Sequence, residues 1–312
     1  VGKEGNDVIL GDNARLLLFD HDVIGAATHD DFTPYNVFGI QLLGENIGGK
    51  DVLASGKDDD LVYGQFGNDT FVFAGGGLGN DFLVEAGNSN SRPNDLHDRL
   101  DFSKFISHVE VETDEDNRQT VNEKQFESDI NLTLTLSSET AFEDVTGSRF
   151  SDDIEGNLRD NTLIGLTGKD NMDGEQGNDL LIGGNGADDL DGDEGHDIVI
   201  GTFTLLDTDP AALQRILAVW NSDDNYGTRL DTIRTGSGPV LNGAKLKAET
   251  TVLDDDFQDI LLGDYNHDWF FIQPSKDDLD KYDPGEALDV LGNVHHQDTV
   301  YVDDNFSNPV IG

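Results

Sequence analysis

The 312-residue sequence contains no cysteine, so neither disulfide bonds nor thiolate metal sites are available to it. A protein of this length outside the cell would not need disulfides if metal ions, held by oxygen ligands, cross-linked the chain. Long apolar runs are also missing. Apolar runs such as Leu16–Phe19 are far too short to cross a bilayer, and we recognise no signal peptide.

Basic residues are scarce: 19 Lys and Arg face 64 Asp and Glu, which gives a net charge of −45. This balance argues against nucleic-acid binding, which needs a basic surface. It also opposes compaction by self-repulsion and is common in disordered chains. Here, however, 36% of the residues are hydrophobic and the acids are regularly spaced, which favours a folded protein that binds multivalent cations.

Glycine and aspartate recur with a period of nine. Residues 147–200 divide into six consecutive blocks: GSRFSDDIE, GNLRDNTLI, GLTGKDNMD, GEQGNDLLI, GGNGADDLD and GDEGHDIVI. Position one is always glycine, position four is glycine in the last four blocks, and position eight is always a large apolar residue. The sixth-position residues are Asp152, Asn161, Asp170, Asp179, Asp188 and Asp197.

A physical property of each residue type explains its place in the block. Glycine permits positive φ and close approach of stacked backbones, and calcium takes six to eight oxygen ligands, including carboxylates and backbone carbonyls. A short strand with one inward apolar residue cannot bury its own face, so its stability depends on stacking. Disordered linkers or ordinary hairpins also contain Gly/Asp-rich turns, but neither explains a fixed nine-residue phase.

The blocks resemble the RTX (repeats-in-toxin), or haemolysin-type, nonapeptide G-G-x-G-x-D-x-U-x, in which U is a large apolar residue. The resemblance implies an all-β fold, a parallel β-roll (a β-helix or solenoid) with two nonapeptides per coil, and several Ca²⁺ ions between loops stacked two repeats apart. One edge would then carry Asp152, Asp170 and Asp188, and the other Asn161, Asp179 and Asp197. The uncharged Asn161 should give a weaker site.

Further blocks extend the predicted set of metal ligands. The additional sixth-position residues are Asp7, Asp51, Asp60, Asp69, Asp81, Asp259 and Asp268. Backbone carbonyl ligands are expected at Gly64, Gly76, Gly147, Gly156, Gly165, Gly174, Gly183, Gly192 and Gly263. Because Val1 already lies in a repeat, we expect the chain to be a fragment of a longer protein.

A non-repeat segment separates the last blocks from the others. Asp209-Pro210 begins a predicted helix, as N-cap and first helical residue, and a second helix is expected at Gly227–Arg234. Apolar residues on one face of the first helix would pack on the domain itself or line a groove for a partner or cofactor. If the segment is a pure insertion, Asp259 stacks on Asp188 and Asp268 stacks on Asp197.

Two alternating stretches, Val109–Glu112 and Ile130–Leu136, predict strands that bridge two rolls, as degenerate coils of one solenoid. Trp269 and Phe270 would suit a hydrophobic cap. The expected organisation is a partial RTX repeat (1–18), an irregular excursion (19–47), a first β-roll (48–102), a β connector (103–145), a second β-roll (146–201), a helical insertion (202–253), and resumed repeats with a C-terminal cap (254–312).

Catalytic signals are weak, and we predict that these residues are not an enzyme. None of the eight histidines has a zinc-type spacing, and no G-x-S-x-G or phosphate-loop motif occurs. His196 and His267 occupy the variable fifth position and are expected to be exposed, whereas His295-His296 is a solvated pair or a transition-metal site. Carboxylate pairs of a glycosidase type cannot be singled out.

The favoured function is a calcium-dependent structural or adhesive protein, extracellular or on a bacterial cell surface, such as a surface layer, filament or adhesin stalk. Its partners would be calcium ions and copies of itself. The alternative is the C-terminal secretion and folding region of a type I-secreted RTX toxin or hydrolase, with the catalytic domain outside these residues. A calcium-dependent enzyme with an unusual site is the third reading.

Overall fold

A computed structural model gives the fold of the chain. It describes residues 8–10, 14–16, 40–42, 49–65, 67–85, 97–115, 118–122, 132–248, 250–253, 255, 257, 259–263, 268–271, 278–279 and 290–291. The predicted ligand Asp7, the residues His267 and His295-His296, and most of the 19–47 excursion lie outside the described residues.

Short strands dominate the structure, with two helices between the last coils. In chain order the elements are β1 (Val8–Leu10), β2 (Ala14–Leu16), β3 (Ile40–Leu42), β4 (Val52–Leu53), β5 (Leu61–Gln65), β6 (Thr70–Gly75), β7 (Gly79–Glu85), β8 (Arg99–Phe105), β9 (Glu110–Glu112), β10 (Arg118–Thr120), β11 (Leu132–Leu136), β12 (Asp144–Thr146), β13 (Asp153–Asn157), β14 (Thr162–Thr167), β15 (Asn171–Gly177), β16 (Leu180–Asn185), β17 (Asp189–Asp191), β18 (Glu194–Gly195), β19 (Ile198–Ile200), β20 (Phe203–Thr204), α1 (Pro210–Trp220), α2 (Tyr226–Thr235), β21 (Val252–Leu253), β22 (Ile260–Leu262), β23 (Trp269–Phe271), β24 (Asp278–Leu279) and β25 (Val290–Leu291).

Three parallel sheets form the body of the roll. Sheet 1 has the order β25-β23-β19-β16-β14-β12-β8-β6-β4, sheet 2 the order β24-β22-β17-β15-β13-β9, and sheet 3 the order β1-β5-β7-β11-β10. Within sheet 3 only the β10–β11 pair is antiparallel. Apart from the short β18, which pairs with β15, consecutive strands in the second roll alternate between sheets 1 and 2. Leu163 therefore pairs with Leu181 and Met172 with Leu190. The predicted all-β parallel roll with two repeats per coil is therefore confirmed.

The two repeat segments are joined through sheet 1. Strand β12 pairs in parallel with β8 on one side and with β14 on the other. The predicted strands of the connector also form: β9 pairs with β13, and β11 pairs with β7. Coils of the connector therefore continue the same stack, as the alternating sequence pattern predicted.

The eighth-position side chains form the inner core. In the second roll they are Ile154, Leu163, Met172, Leu181, Leu190 and Val199, all at most 1% exposed. Leu261 and Phe270 continue the row, because β22 pairs with β17 and β23 with β19. The helical segment is thus looped out of the stack, and the predicted register across it is confirmed.

A second core lies on the outer face of sheet 1. Helix α1 begins after the N-cap Asp209, whose side chain accepts a hydrogen bond from the N–H of Ala212, and α2 begins after the N-cap Asn225. The apolar side of α1 packs against the seventh- and ninth-position residues of the sheet-1 strands. The stripe thus packs on its own domain. Trp269 lies beneath the helices in β23, and β25 continues the sheet beyond it, so Trp269 does not cap the end of the roll.

Candidate metal sites

The sixth-position carboxylates form two ladders, one at each edge of the roll. Edge 1 comprises the turns that precede the sheet-1 strands, and edge 2 those that precede the strands of sheets 2 and 3. In each ladder, one carboxylate oxygen accepts a hydrogen bond from the backbone N–H of the residue one coil earlier. On edge 2 the donor–acceptor pairs are Asp60–Asp81 (3.0 Å), Val109–Asp152 (2.7 Å), Asp152–Asp170 (2.9 Å), Asp170–Asp188 (2.9 Å) and Asp188–Asp259 (2.9 Å).

Edge 1 carries the longer ladder. Its pairs are Asp51–Asp69 (2.8 Å), Asp69–Asp98 (2.7 Å), Asp98–Glu143 (3.1 Å), Asn161–Asp179 (2.6 Å), Asp179–Asp197 (2.8 Å) and Asp197–Asp268 (2.8 Å). The structure therefore brings the predicted residues of each edge together in the predicted order. It also adds two members, Asp98 and Glu143, that the nonapeptide pattern missed, because long connections of irregular length separate them from the repeats.

The second oxygen of four ladder carboxylates is the candidate cation ligand. Oδ2 of Asp170, Asp179, Asp188 and Asp197 is buried and accepts no hydrogen bond from the described residues. Buried polar atoms in native proteins almost always have a partner, and an exception is explained when the atom is a ligand of an ion. Four such atoms in four successive turns indicate a repeated site.

Glycine at position one allows these oxygens to lie against the backbone, because any side chain there would overlap them. A Cβ on Gly174 would lie 2.6 Å from Oδ2 of Asp179 and 2.9 Å from the carbonyl oxygen of Gly192, which belongs to the next coil. A Cβ on Gly183 would lie 2.5 Å from both Oδ2 of Asp188 and the carbonyl oxygen of Gly201. A carboxylate oxygen and a carbonyl oxygen from adjacent coils thus lie close together beside the glycine, and both are ligand types that calcium takes. The residues fit a calcium ion.

The electrostatics agree with that fit. Burial raises the pKa of Asp170 to about 8 and that of Asp188 to about 7, despite a backbone hydrogen bond to each carboxylate. Burial also raises the pKa of Asp179 and of Asp197 well above the ordinary value. Protein groups alone therefore do not hold these carboxylates fully ionised at neutral pH. A bound calcium ion would supply the missing positive charge.

Two predicted ligands are engaged by their own turns. Asp152 accepts hydrogen bonds from the backbone N–H and the hydroxyl of Ser148, at 2.6 and 2.7 Å. Asn161 accepts one from the N–H of Asn157 at 3.0 Å and donates its amide to the carbonyl oxygen of Glu143 at 2.9 Å. Both lie in the first coil of the second roll, where backbone groups and the Ser148 hydroxyl bond to the side chains that would bind a metal elsewhere.

Fixed protein cations occupy the junction between the two rolls. Arg99 pairs with Asp144 at 3.0 Å, His97 with Asp144 at 3.3 Å, and Arg159 with Glu143 at 3.6 Å. Burial alone would raise the pKa of Asp144, but the charges of His97 and Arg99 outweigh it and hold the pKa below its usual range. The junction is thus neutralised by side chains.

Two groups of three carboxylates have oxygens within 4.8 Å of one another. Asp69, Glu85 and Asp98 form a buried group beside edge 1, and Asp173, Glu175 and Asp193 form a half-buried group in the second roll. Glu85 lies beside the predicted ligand Asp69 but outside the nonapeptide pattern.

His196 differs from the expectation of an exposed loop residue. It is half-buried, its N–H donates to Oδ1 of Asn178 at 2.9 Å, and its carbonyl oxygen accepts a hydrogen bond from Nε1 of Trp220. The helical insertion covers this turn, which the repeat pattern alone could not indicate. In the part of the chain that the structure describes, neither helix has the length and apolarity to span a bilayer.

Comparison with known families supports the same reading. The family model of the RTX calcium-binding nonapeptide repeat (4 copies) matches residues 47–83, 146–181 and 164–199. No curated protein matches the chain. The matched segments contain the edge-1 and edge-2 turns with the open carboxylate oxygens. Residues 47–83 and 146–199 of this chain are therefore RTX calcium-binding nonapeptide repeats.

Proposed function

We propose that this chain is an extracellular structural or adhesive repeat protein that folds and stiffens when it binds calcium. The observation that carries the proposal is the set of buried Oδ2 atoms of Asp170, Asp179, Asp188 and Asp197 in two ladders. The first three lie beside a carbonyl oxygen of the next coil. Since each position joins two coils, an ion there holds the stack together.

Calcium binding and folding are one process in this proposal. The ladder exists only when the coils stack, so the unfolded chain offers no formed site, and the binding free energy stabilises the folded state. Without the ions, the same carboxylates would have to bind protons or separate, because their burial disfavours the charged form.

The shape of the roll supports a scaffold role. Sheet 1 alone stacks nine strands, which corresponds to a length of about 40 Å at the usual strand spacing. Each coil contacts mainly its neighbours, so rigidity depends on every interface along the stack. RTX repeats are typically non-catalytic, and we extend this to a role without catalysis for this chain.

An extracellular location follows from the kind of site proposed. Calcium sites in extracellular modules commonly have dissociation constants of about 10⁻⁴–10⁻³ M, so they stay empty in the cytosol and fill outside the cell. RTX repeats are also typical of secreted bacterial proteins.

The test uses the full chain in calcium and in excess chelator. At about pH 8, where fewer of the ladder carboxylates are protonated, far-UV circular dichroism should show β-structure only with calcium. Small-angle scattering should then show an extended particle replacing an expanded chain. An unchanged spectrum in chelator contradicts the coupling. Sedimentation at the same calcium levels tests assembly: calcium-dependent association supports a filament or surface layer, whereas a monomer throughout contradicts self-assembly.

A further inference from the structure

The helical insertion contacts the turns of edge 1 directly. Nε1 of Trp220 donates to the carbonyl oxygen of His196, and the hydroxyl of Tyr226 donates to the carbonyl oxygen of Asp268 at 2.9 Å. The amide of Asn221 donates to Oδ2 of Asp160 at 2.8 Å. These three bonds reach three edge-1 turns, those of Asn161, Asp197 and Asp268, at the fifth or sixth position of each repeat.

The fifth-position residues of edge 1 are themselves linked. Oδ1 of Asp160 accepts from the N–H of Asn178 at 2.8 Å, and Oδ1 of Asn178 accepts from the N–H of His196 at 2.9 Å. On edge 2 the corresponding Ser151 and Lys169 are exposed. The insertion therefore covers one row of candidate metal turns, while these two turns of the other row face solvent.

The surface that receives the helices exists only in a stacked roll. Ile182, Ile200 and Trp269 belong to three neighbouring strands of sheet 1, and all are buried in the outer core. Ring centroids of Trp220 and Trp269 lie 6.0 Å apart. Since no single coil supplies this apolar surface, helix docking depends on the coil spacing that the ladders set.

We propose that α1 and α2 form a calcium-dependent clamp on edge 1. Trp220 and Tyr226 are positioning residues for the turns that carry Asp197 and Asp268, and Asn221 positions the Asp179 turn through Asp160, which accepts from the N–H of Asn178. This inference rests on the proposed function, because it requires these turns to bind calcium. Docking fixes the turn backbone that a cation needs, and a cation fixes the carbonyls that the helices bind. By linkage, each event strengthens the other by the same factor. Edge 1 consequently binds calcium more tightly than edge 2.

The experiment uses the full chain and calcium alone as the ligand. Tryptophan emission reports the clamp, because both tryptophans of the chain, Trp220 and Trp269, lie in this interface. Tyr226→Phe removes one bond to an edge-1 carbonyl and keeps the ring, and Tyr63→Phe, in the first roll, is the matched control. Tyr226→Phe should raise the calcium midpoint of the emission change about two- to tenfold, as expected for one hydrogen bond, while Tyr63→Phe leaves it unchanged.

A second pair of variants compares the two edges. Asp197→Asn should raise the calcium midpoint of the tryptophan signal more than Asp188→Asn, although the two aspartates occupy the same position in adjacent repeats. Equal shifts for these two variants, or no shift for Tyr226→Phe, overturn the clamp.

Calorimetric calcium binding and circular dichroism separate the two proposals. If calcium binds and the roll forms while the emission is identical in calcium and chelator, the clamp is wrong and the proposed function stands. If calorimetry detects no calcium binding, the proposed function is wrong, and the clamp is wrong with it.

Discussion

Oδ1 of Asp197 accepts a hydrogen bond from the backbone N–H of Asp179, 2.8 Å away and 18 residues earlier in the chain. The same carboxylate directs its other oxygen toward Gly192, where no described group donates to it. One side chain therefore joins two coils through its first oxygen and offers the second to a cation. This division of roles explains why the sixth position needs a carboxylate.

Replacement of ladder members should have unequal effects. At limiting calcium, Asp179→Ala should lower the melting temperature by about 3–10 °C, because it removes a charge-assisted hydrogen bond and a metal ligand. Asn161→Ala should lower the melting temperature less, because Asn161 is uncharged and its replacement removes no charged metal ligand. Its amide is engaged by backbone groups of Asn157 and Glu143. Calorimetric melting of both variants checks the prediction, and equal melting temperatures would refute the stacking order of the sites.

Fourth-position glycine is required by the approach of adjacent coils. Gly186 has φ of 152°, and a Cβ there would overlap the carbonyl oxygen of Gly168. Gly186→Ala should reduce the free energy of unfolding by about 3 kcal/mol, through left-handed strain and overpacking. Gly238, with φ of 90° and open space around it, is the control, and Gly238→Ala should cost only about 1 kcal/mol. Urea denaturation in saturating calcium would measure both, and similar losses would mean that the coil contact is unimportant.

The junction should depend on its own cations. Arg99→Met leaves the buried carboxylate of Asp144 without its shortest ion pair and should cost about 3–5 kcal/mol of stability at any calcium level. Arg149→Met, at an exposed position, should change stability by less than about 0.5 kcal/mol. Denaturation midpoints across a calcium series test this. A loss that disappears in saturating calcium would show that a metal, not Arg99, neutralises the junction.

Stability without calcium should depend on pH in a defined direction. Burial raises the pKa of Asp152 to about 6, of Asp188 to about 7 and of Asp170 to about 8, whereas aspartate in an unfolded chain titrates near about 3.9. The folded state binds protons more tightly, so this contribution is complete below the unfolded pKa and is lost as pH rises through the folded values.

Calcium-free protein should therefore denature at higher urea concentration at about pH 5 than at about pH 8. Saturating calcium should reverse the trend, because protons then compete with the ion for the same oxygens. Circular dichroism of urea titrations at both pH values provides the measurement. Equal midpoints in the calcium-free series would argue that the ladder carboxylates are not desolvated.

Much of the candidate site could be predicted from the sequence because every repeat adopts the same local conformation. A glycine at position one, an acid at position six and an apolar residue at position eight each have the same surroundings in every coil. With the two nonapeptides per coil that the RTX resemblance implies, the spacing of nine predicted that Asp170 and Asp188 would share an edge. It also predicted the register across the insertion, since Asp259 had to follow Asp188 once the helices were looped out.

The outer face of sheet 1 was present in the sequence but not recognised. Alternate blocks carry apolar residues at positions seven and nine, as in LLI at 180–182 and IVI at 198–200, whereas the blocks between them carry NMD and DLD. That alternation shows that one face of the roll is covered by other residues. It indicates where the helices pack, although not their orientation.

The sequence by itself determined the coil, its inner core and the two rows of acids, because those features depend only on the repeated pattern. The tertiary structure alone decided that Asp98 and Glu143 extend the edge-1 ladder, that Arg99 and Arg159 neutralise the junction, and that α1 lies over the edge-1 turns. The physical reason is that these contacts join residues separated by irregular connections, so their partners are fixed by packing of the whole stack and not by any local spacing.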